Sequence, residues 1–473
     1  MQPPIYHQMI SGHRSVVWPA LPAPHAARLA ALLRQLEESQ WWTPAQHRAA
    51  QLRQATALLH HAHRQLPFYR ARLEQAGFAP GKAATPDLWA RIPVLTRAEL
   101  QAAGPALHSP QLPRGHGRSY EISSSGSTGQ VVTALGSQLV QLFWHAVTLR
   151  EHLWHRRDFG GRLAAIRPFP PGVADFPRGS ATPAWGRSTH NLLRSGPGFQ
   201  LSVATTPAQQ ADWLRRVRPD YLLTYPSALR DLLLHCRVAG IAVPGLREVR
   251  TLSELLPPET RSLCREVWGV AIADIYSTQE AGYLALQCPE VEHYHIQSEV
   301  NLVEVLDDDG RACGPGEVGR VVVTPLMNFA MPMLRYVVGD LAEVGAPCPC
   351  GRGLPVLKRI LGRVRNTLVY PDGGRSWPLL GDIYHAGVDG IRQYQIVQHT
   401  PQEVELKLAT AAPLGEAEEA KLRDWLQHRG GYPFTVRFSY HGEIPRGPGG
   451  KFETFRSLIA EAGPQAPVAP SRH

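Results

Sequence analysis

Residues 119–133 read SYEISSSGSTGQVVT, and no other segment says as much about the structure of this chain. A strand-like run, Ser119–Ile122, precedes the Ser/Gly-rich part, and another, Val131–Thr133, follows it. Small residues let the backbone approach a ligand closely, and successive N–H groups beside hydroxyls form a cradle for anions. We therefore predict a phosphate-binding loop between two strands, with a flexible Ser/Gly linker as the alternative. The predicted loop comprises Ser124, Ser125, Gly126, Ser127, Thr128 and Gly129.

Strand-like and helical segments alternate from residue 120 to residue 280. Short buried strands are predicted at Arg162–Ile166, Asp220–Tyr225, Val249–Ser253 and Val270–Tyr276. Helices are predicted at Pro207–Val217 and Ser227–Val238. Alternation of this kind is typical of an α/β layer built on a parallel sheet.

The segments on either side of this alternation differ from it. Before it, two helices are predicted, and the second begins at the capping box Thr43–Gln46. After it, residues 296–345 consist of strands and turns, which favours an antiparallel, β-barrel-like subdomain. Beyond Arg363 a small α+β unit follows. Its predicted elements are the strands Gln393–His399, Glu403–Ala409 and Thr435–Tyr440 and the helix Glu416–His428.

The predicted fold class is α/β, with a large N-terminal domain of parallel α/β layers plus a β-barrel-like subdomain, and a small α+β C-terminal domain. We expect a helical N-terminal part at residues 1–115, a ligand-binding core at residues 116–362 and the small domain at residues 363–473. A chain of 473 residues with 43% hydrophobic and 19% charged residues can bury such cores without disulfides.

The charge of the chain is positive but dispersed. Lys and Arg number 49 against 40 Asp and Glu, a formal net charge of +9, yet no five like charges follow one another. This pattern argues against a nucleic-acid-binding arm, and a dispersed positive field suits small polyanions as well as it suits nucleic acid. The sequence has neither the apolar segment of a secretory signal nor a run of 18 apolar residues that would span a membrane. We expect a cytoplasmic protein without nucleic-acid or membrane partners, and a homodimer stays open.

Lysine is rare in this chain. Only five of the 49 basic residues are lysine, as an arginine-biased composition would produce. Arginine cannot replace the compact ammonium of lysine where a site needs a point charge, so a remaining lysine is a candidate for such a site. Lys451 follows Gly449-Gly450 in a Gly-rich segment, where a loop can bring its ammonium to a phosphate or carboxylate.

Two further segments carry carboxylates at predicted strand ends. In Asp274–Glu280, the side chain of Glu280 can bind Mg²⁺ beside nucleotide phosphates, and that of Tyr276 can stack on a base. The alternative is a glutamate at a helix N-terminus and a tyrosine in the core. Asp340 can accept hydrogen bonds from ribose hydroxyls, and Arg363 can bind ribose or phosphate.

These segments occur in the order found in the adenylate-forming superfamily, and the chain resembles its phenylacetate–CoA ligase branch in particular. That branch includes adenylation proteins of capsule and secondary-metabolite pathways. The resemblance extends from about residue 50 to about residue 460. The matching motifs are Ser124–Gly129, Tyr276–Glu280, Leu334–Asp340, Gly362-Arg363 and Gly449–Lys451.

The resemblance implies an enzyme that activates a small carboxylic acid, aromatic in type, with ATP and Mg²⁺. The carboxylate would attack the α-phosphate to give an acyl-AMP and pyrophosphate, and the acyl group would then pass to CoA as a thioester. Between these steps the small C-terminal domain would rotate. The alternatives are a non-CoA acceptor such as an amine or carrier protein, activation of a non-carboxylate oxyanion, and a nucleotide-binding scaffold without turnover.

The resemblance also implies a role for each motif residue. Lys451 would bridge the carboxylate and the α-phosphate, and Glu280 would bind Mg²⁺. Thr128 would take part in catalysis within the triphosphate-binding loop. Asp340 would bind the ribose hydroxyls, with Arg363 nearby. The other expected nucleotide contacts are Ser253, Glu254, Tyr276, Ser277 and Thr278.

Three positions depart from the family pattern. Ser277 stands where glycine is usual, Gln130-Val131 replaces a residue–proline pair, and Arg365-Asn366 replaces an acidic pair at the hinge. The last difference bears on the transfer step more than on adenylation.

The six cysteines are expected to be reduced, metal-bound or inert rather than paired. Cys348 and Cys350 form a tight Cys-x-Cys, and Cys288 is followed by His293 and His295. Three thiols and one imidazole suit a tetrahedral structural Zn²⁺ site. The resemblance supports Cys288, His295, Cys348 and Cys350 as the ligands. The alternatives are His293 in place of His295, and thiols that bind no metal.

Overall fold

A computed structural model describes residues 8–123, 133–363, 366–376, 383–447, 450–459 and 468–469 of the chain. Its α-helices are α1 Pro24–Ser39, α2 Pro44–Gln65, α3 Pro67–Gln75, α4 Pro86–Arg91, α5 Arg97–Ala103, α6 Gln138–Trp154, α7 Arg187–His190, α8 Pro207–Val217, α9 Pro226–Ala239, α10 Pro258–Trp268 and α11 Glu416–Gly430. Among the helices in these ranges, none combines the length and the apolar composition that crossing a membrane requires.

The strands belong to four sheets. They are β1 Ser119–Ser123, β2 Thr133–Ser137, β3 Leu163–Arg167, β4 Ser180–Thr182, β5 Gly198–Ser202, β6 Tyr221–Thr224, β7 Glu248–Leu252, β8 Ala271–Thr278, β9 Gly282–Gln287, β10 Tyr294–Ile296, β11 Asn301–Leu306, β12 Val318–Pro325, β13 Tyr336–Val344, β14 Val356–Arg363, β15 Leu368–Val369, β16 Arg375–Ser376, β17 Gln393–Thr400, β18 Glu403–Ala409, β19 Thr435–His441, β20 Phe455–Ser457 and β21 Val468–Ala469.

The main sheet has twelve strands in the order β11-β12-β13-β14-β10-β9-β8-β7-β6-β3-β5-β4. Strands β5, β3, β6, β7 and β8 are parallel. From β8 onward the pairing becomes antiparallel, through β9, β10, β14, β13, β12 and β11. Strand β8 is therefore the point at which the two halves of the sheet meet.

Local sequence signals begin and end the helices that cover this sheet. Thr43 and Thr206 cap α2 and α8 in complete capping boxes, each followed by proline at the first helical position. Gly240 and Gly269 end α9 and α10 in the left-handed conformation that glycine adopts without a steric penalty. The predicted helix Pro207–Val217 matches α8 at both ends.

Separate apolar cores lie on different parts of the sheet. Helices α2–α5 pack on the antiparallel half, whereas α8–α10 pack on the parallel half. Helices α1 and α6 contribute to a third core that includes Ile275 of β8 and Leu286 of β9. The C-terminal domain, formed by β17–β20 and α11, has a core of its own.

The α/β fold class is confirmed, and the structure adds a feature that the sequence did not predict. The strands expected as a barrel-like subdomain are antiparallel, as predicted, but they continue the parallel sheet without a break. Strand β9 follows β8 after a short turn and pairs with it directly, so the second half of the sheet grows from the edge of the first.

One buried arginine joins the N-terminal helices to the antiparallel half. Arg335 binds both carboxylate oxygens of Glu304 at 3.1 Å. It also donates to the carbonyls of Ala90 and Ile92 at 2.8 and 2.7 Å. Only 5% of this side chain is exposed, so its charge depends on these four acceptors.

Replacing Arg335 with Met should lower the free energy of unfolding by about 3–5 kcal/mol, because Glu304 would keep a buried charge without its partner. Urea unfolding followed by tryptophan fluorescence measures the change. Arg311→Met is the matched control, since Arg311 pairs with Asp309 on the surface, and it should change stability by less than about 0.5 kcal/mol. Equal losses in the two variants would contradict this assignment.

Candidate active site

A cavity of about 1,810 Å³ lies at the carboxyl ends of the parallel strands. Arg167 from β3, Ser253 after β7 and Tyr276 from β8 line it from the main sheet. Lys451 lines it from the C-terminal domain. Ligands of open α/β sheets bind at this edge, outside the carboxyl ends of the strands. The cavity is therefore the candidate active site.

The predicted phosphate loop lies outside the described residues, and this applies to Ser124, Ser125, Gly126, Ser127, Thr128 and Gly129 alike. The strands that flank it are described, and β1 pairs with β2 as an antiparallel hairpin in which Ser123 faces Thr133. Gly449 and Arg365 also lie outside the described residues.

Asp340 is held between a tyrosine and an arginine. Tyr276 donates its hydroxyl proton to Asp340 Oδ2 at 2.8 Å, and Arg363 Nε lies 3.0 Å from Oδ1. The arginine contact follows from sheet register, because Asp340 and Arg363 are cross-strand partners on β13 and β14. Burial and the Asp340 carboxylate raise the pKa of Tyr276 well above its usual value, which keeps the phenol protonated.

Strand β8 ends at the cavity with the other predicted residues of this motif. Its register shifts between Tyr276 and Ser277, and the Thr278 hydroxyl accepts the N–H of Ala281 at 3.0 Å. Ser277, Thr278 and Glu280 all line the cavity. The charge of Glu280 acts on both Arg363 and Lys451, so this carboxylate faces the positive side of the site.

Lys451 reaches the cavity on a tight loop. Gly447 N–H donates to the Lys451 carbonyl at 2.8 Å, and Gly450 N–H donates to the Gly447 carbonyl at 3.0 Å. Gly450 has a φ of +72°, and a Cβ atom there would lie 2.8 Å from Pro168 Cγ. Only glycine fits both the backbone conformation and this close approach to the large domain.

The ammonium of Lys451 lies among charges of both signs. Burial and the positive charge of Arg363 lower its pKa from the usual value. Three carboxylates, those of Glu254, Asp340 and Glu280, act in the opposite direction. The residues predicted from separate motifs thus converge on one site, although they are distant in sequence.

Ser253 and Glu254 occupy the bend after β7. Ser253 has a φ of +71°, an uncommon conformation for a residue other than glycine. Glu254 accepts the N–H of Ser227 at 2.9 Å and the N–H of Phe452 at 2.8 Å. Its carboxylate therefore joins the start of α9 to the residue after Lys451. Burial raises the pKa of Glu254, and these two hydrogen bonds oppose the increase.

Further contacts between the domains were not predicted from the sequence. Arg446 donates to the Ser227 hydroxyl at 2.7 Å and pairs with Asp231 at 3.1 Å. The Arg230 guanidinium lies 4.7 Å from the ring centre of Tyr394. These residues are separated by 164 or more positions along the chain and belong to no short motif, so only the folded structure relates them.

The predicted metal ligands form a compact cluster away from the cavity. The ligand atoms of Cys288, His295, Cys348 and Cys350 all lie within 4.8 Å of one another. Burial and neighbouring His293 lower the pKa of His295 to about 4, so its imidazole is neutral at physiological pH. Three thiols and a neutral imidazole at these separations fit a tetrahedral metal ion.

The second histidine lies beside the same cluster. His293 Nε2 is 2.9 Å from Cys348 Sγ, whereas His295 Nε2 is 3.4 Å from Cys350 Sγ. His293 is therefore placed to hydrogen bond to Cys348. His295 supplies the nitrogen that lies within 4.8 Å of the three cysteine sulfurs.

The chain is similar in sequence to known proteins. Residues 378–457 match the family described as the CapK C-terminal domain. The chain is 27% identical to phenylacetate-coenzyme A ligase of Thermus thermophilus over 77% of its length, covering 82% of that protein.

Solved structures share the fold. A 2-hydroxyisobutyryl-CoA ligase in the postadenylation state, in complex with R3-HIB-AMP, matches with a TM-score of 0.67 and 20% identity, covering 89% of this chain and 90% of that one. The same ligase in the thioesterification state, with 2-HIB-AMP and CoA, gives 0.53 and 20% identity over 95% and 91%. The chain is thus similar in sequence to phenylacetate-coenzyme A ligases over most of its length, and it shares its fold with solved acyl-CoA ligases.

Proposed function

We propose that this chain is an ATP- and Mg²⁺-dependent ligase that adenylates a small carboxylic acid and transfers the acyl group to CoA. The observation that carries the proposal is the position of Lys451, which lines the cavity within range of the charges of Asp340 and Arg363. A family relationship over most of the chain supports the same reaction class.

The first step is an in-line displacement at the α-phosphorus of ATP. A carboxylate oxygen of the acid forms the new P–O bond, and pyrophosphate leaves with the electrons of the broken one. Lys451 neutralises charge that develops on the α-phosphate and holds the carboxylate beside it. Asp340 accepts the ribose hydroxyls while Arg363 fixes its orientation. Glu280 supplies the carboxylate that would hold Mg²⁺, which neutralises phosphate charge.

The second step needs a different position of the C-terminal domain. The thiol of CoA must reach the acyl carbonyl carbon, where the C–S bond forms and AMP leaves. In the docked arrangement the Lys451 loop packs on Pro168 and Val203 and closes this side of the cavity. The higher TM-score to the postadenylation state than to the thioesterification state supports assigning this docked arrangement to adenylation.

An aromatic acid is the preferred substrate type within this proposal. Trp144 and Tyr283 line the cavity with their ring centroids 4.2 Å apart and their planes inclined by 31°, which forms an aromatic wall. ATP and CoA are cytoplasmic metabolites, so we also place the reaction there.

The decisive experiment measures pyrophosphate release with ATP, Mg²⁺ and a panel of aryl and alkyl acids, with and without CoA. Lys451→Ala should slow acid-dependent release by roughly 10²–10³-fold, because a charge aimed at the transition state is lost, while ATP binding persists. Lys421→Ala is the control, since Lys421 is exposed on α11.

Unchanged release in Lys451→Ala would refute the adenylation mechanism. Thioester together with free AMP would identify CoA as the acceptor. Release of pyrophosphate and formation of acyl-AMP without thioester would instead favour an amine or a carrier protein.

The same reaction should depend on docking of the C-terminal domain. Asp231→Asn removes the carboxylate that pairs with Arg446, so pyrophosphate release should fall about tenfold or more. Combining it with Arg446→Met should add little, because both changes remove one interaction. Asp212→Asn breaks an exposed pair within α8 and serves as the control. Full additivity of the first two variants would contradict the proposed docking role.

We further propose that the cysteine cluster binds a structural Zn²⁺. Purified protein never exposed to chelator should contain about one zinc per chain, and Cys350→Ser should reduce both zinc content and thermal stability. Cys313→Ser is the matched control, because Cys313 lies outside the cluster. Zinc below roughly 0.2 equivalents in the wild-type protein would refute the site.

A further inference from the structure

Arg167 has no acidic partner among the described residues. Arg167 ends β3 and lines the cavity. Two other cavity arginines are paired with carboxylates, since Arg250 lies 2.5 Å from Glu151 and Arg363 lies 3.0 Å from Asp340. Within the described part of the chain, no carboxylate forms an ion pair with Arg167, and its Nε is buried without a hydrogen-bond acceptor.

Neighbouring groups hold this guanidinium in place without neutralising it. Arg167 lies beside the hydroxyl of Tyr225, where its charge partly offsets the rise that burial causes in the pKa of Tyr225. Its carbonyl accepts the N–H of Val203 at 2.9 Å, which fixes the backbone. A positioned arginine with free donors is suited to bind a carboxylate or phosphate in two-point fashion.

Arg167 lies near the loop that carries Lys451 and near the aromatic wall. The next residue, Pro168, is the one on which Gly450 packs, immediately before Lys451. On the other side, the charges of Arg250 and Arg167 both reach Tyr283, where they oppose the rise that burial causes in its pKa. Arg167 therefore lies between the lysine loop and the aromatic wall.

Resting on the proposed function, we infer that the activated acid carries a second anionic group, which Arg167 binds. Lys451 already meets the reacting carboxylate and the α-phosphate, so a second fixed cation nearby is complementary to another anion on the acid. A dicarboxylic acid is the simplest compound of this class. Its first carboxylate is adenylated, and the second remains ionised against the guanidinium.

Matched substrates separate the second charge from molecular size. Pyrophosphate release is measured for succinic, glutaric and homophthalic acids, each beside its monomethyl ester, with Mg·ATP at saturation. At least one diacid should exceed its ester by about tenfold to a hundredfold in kcat/KM, because the ester leaves the arginine unpaired. Esters that equal or exceed every diacid would overturn the inference while leaving adenylation intact.

Variants test the residue itself. Arg167→Met should abolish the preference for diacid over ester, and Arg167→Lys should retain part of it, because a point charge keeps the attraction but loses the two-point geometry. Arg215→Met, on the exposed side of α8, should keep the full preference. Mg·ATP binding by each variant reports correct folding.

The remaining outcomes are also decisive. A change confined to the KM for ATP in Arg167→Met would assign this arginine to the nucleotide and overturn the inference. If neither diacids nor monoacids promote pyrophosphate release by the wild-type protein, the proposed function fails and the inference fails with it.

Discussion

The contact between the C-terminal domain and the large domain brings Lys451 into the cavity, beside the residues that the main sheet supplies. Glu254 connects the two domains directly. Its carboxylate accepts hydrogen bonds from the N–H of Ser227 in the large domain and from the N–H of Phe452 beside the lysine. A buried carboxylate costs free energy unless hydrogen bonds compensate it, so the domains stabilise this charge only when docked. Losing either donor favours separation.

The charges around Lys451 connect docking of the C-terminal domain with the binding of anions in the cavity. Lys451 and Arg363 meet the carboxylates of Asp340, Glu280 and Glu254, and the ammonium is nonetheless partly desolvated, which lowers its pKa. Additional negative charge would favour the charged form of this lysine. Phosphates entering the cavity would supply that charge, so nucleotide binding and docking of the C-terminal domain reinforce each other by linkage.

Sequence reasoning succeeded where the determining signal is local. Capping boxes at Thr43 and Thr206 set the starts of α2 and α8, and strand–helix alternation indicated the parallel sheet. It failed where the signal is the meeting of distant residues. Asp231 and Arg446 are 215 positions apart and belong to no repeated pattern, so their ion pair arises only from domain docking.

The antiparallel half illustrates the same limit at the level of topology. Alternating strands in residues 296–345 predict antiparallel pairing, but they do not reveal which edge pairs with the parallel sheet. That choice depends on β9 folding back against β8 and on β10 joining β9 to β14.

Strand register also couples the site to the domain that carries the lysine. Asp340 and Arg363 are cross-strand partners, and Arg363 is the last residue of β14 before the chain continues toward the C-terminal domain. The ion pair that orients Asp340, the proposed ribose ligand, therefore also anchors the start of that connection. A rotation of the C-terminal domain that pulled on Arg363 would disturb Asp340, whereas a rotation beginning after it would leave the pair intact. In the proposed reaction, acyl-AMP must stay bound while Lys451 leaves, which requires a rotation that begins after Arg363. The contacts of Arg363 with Asp340 and with the Val338 carbonyl favour that hinge position, because they hold Arg363 in the large domain.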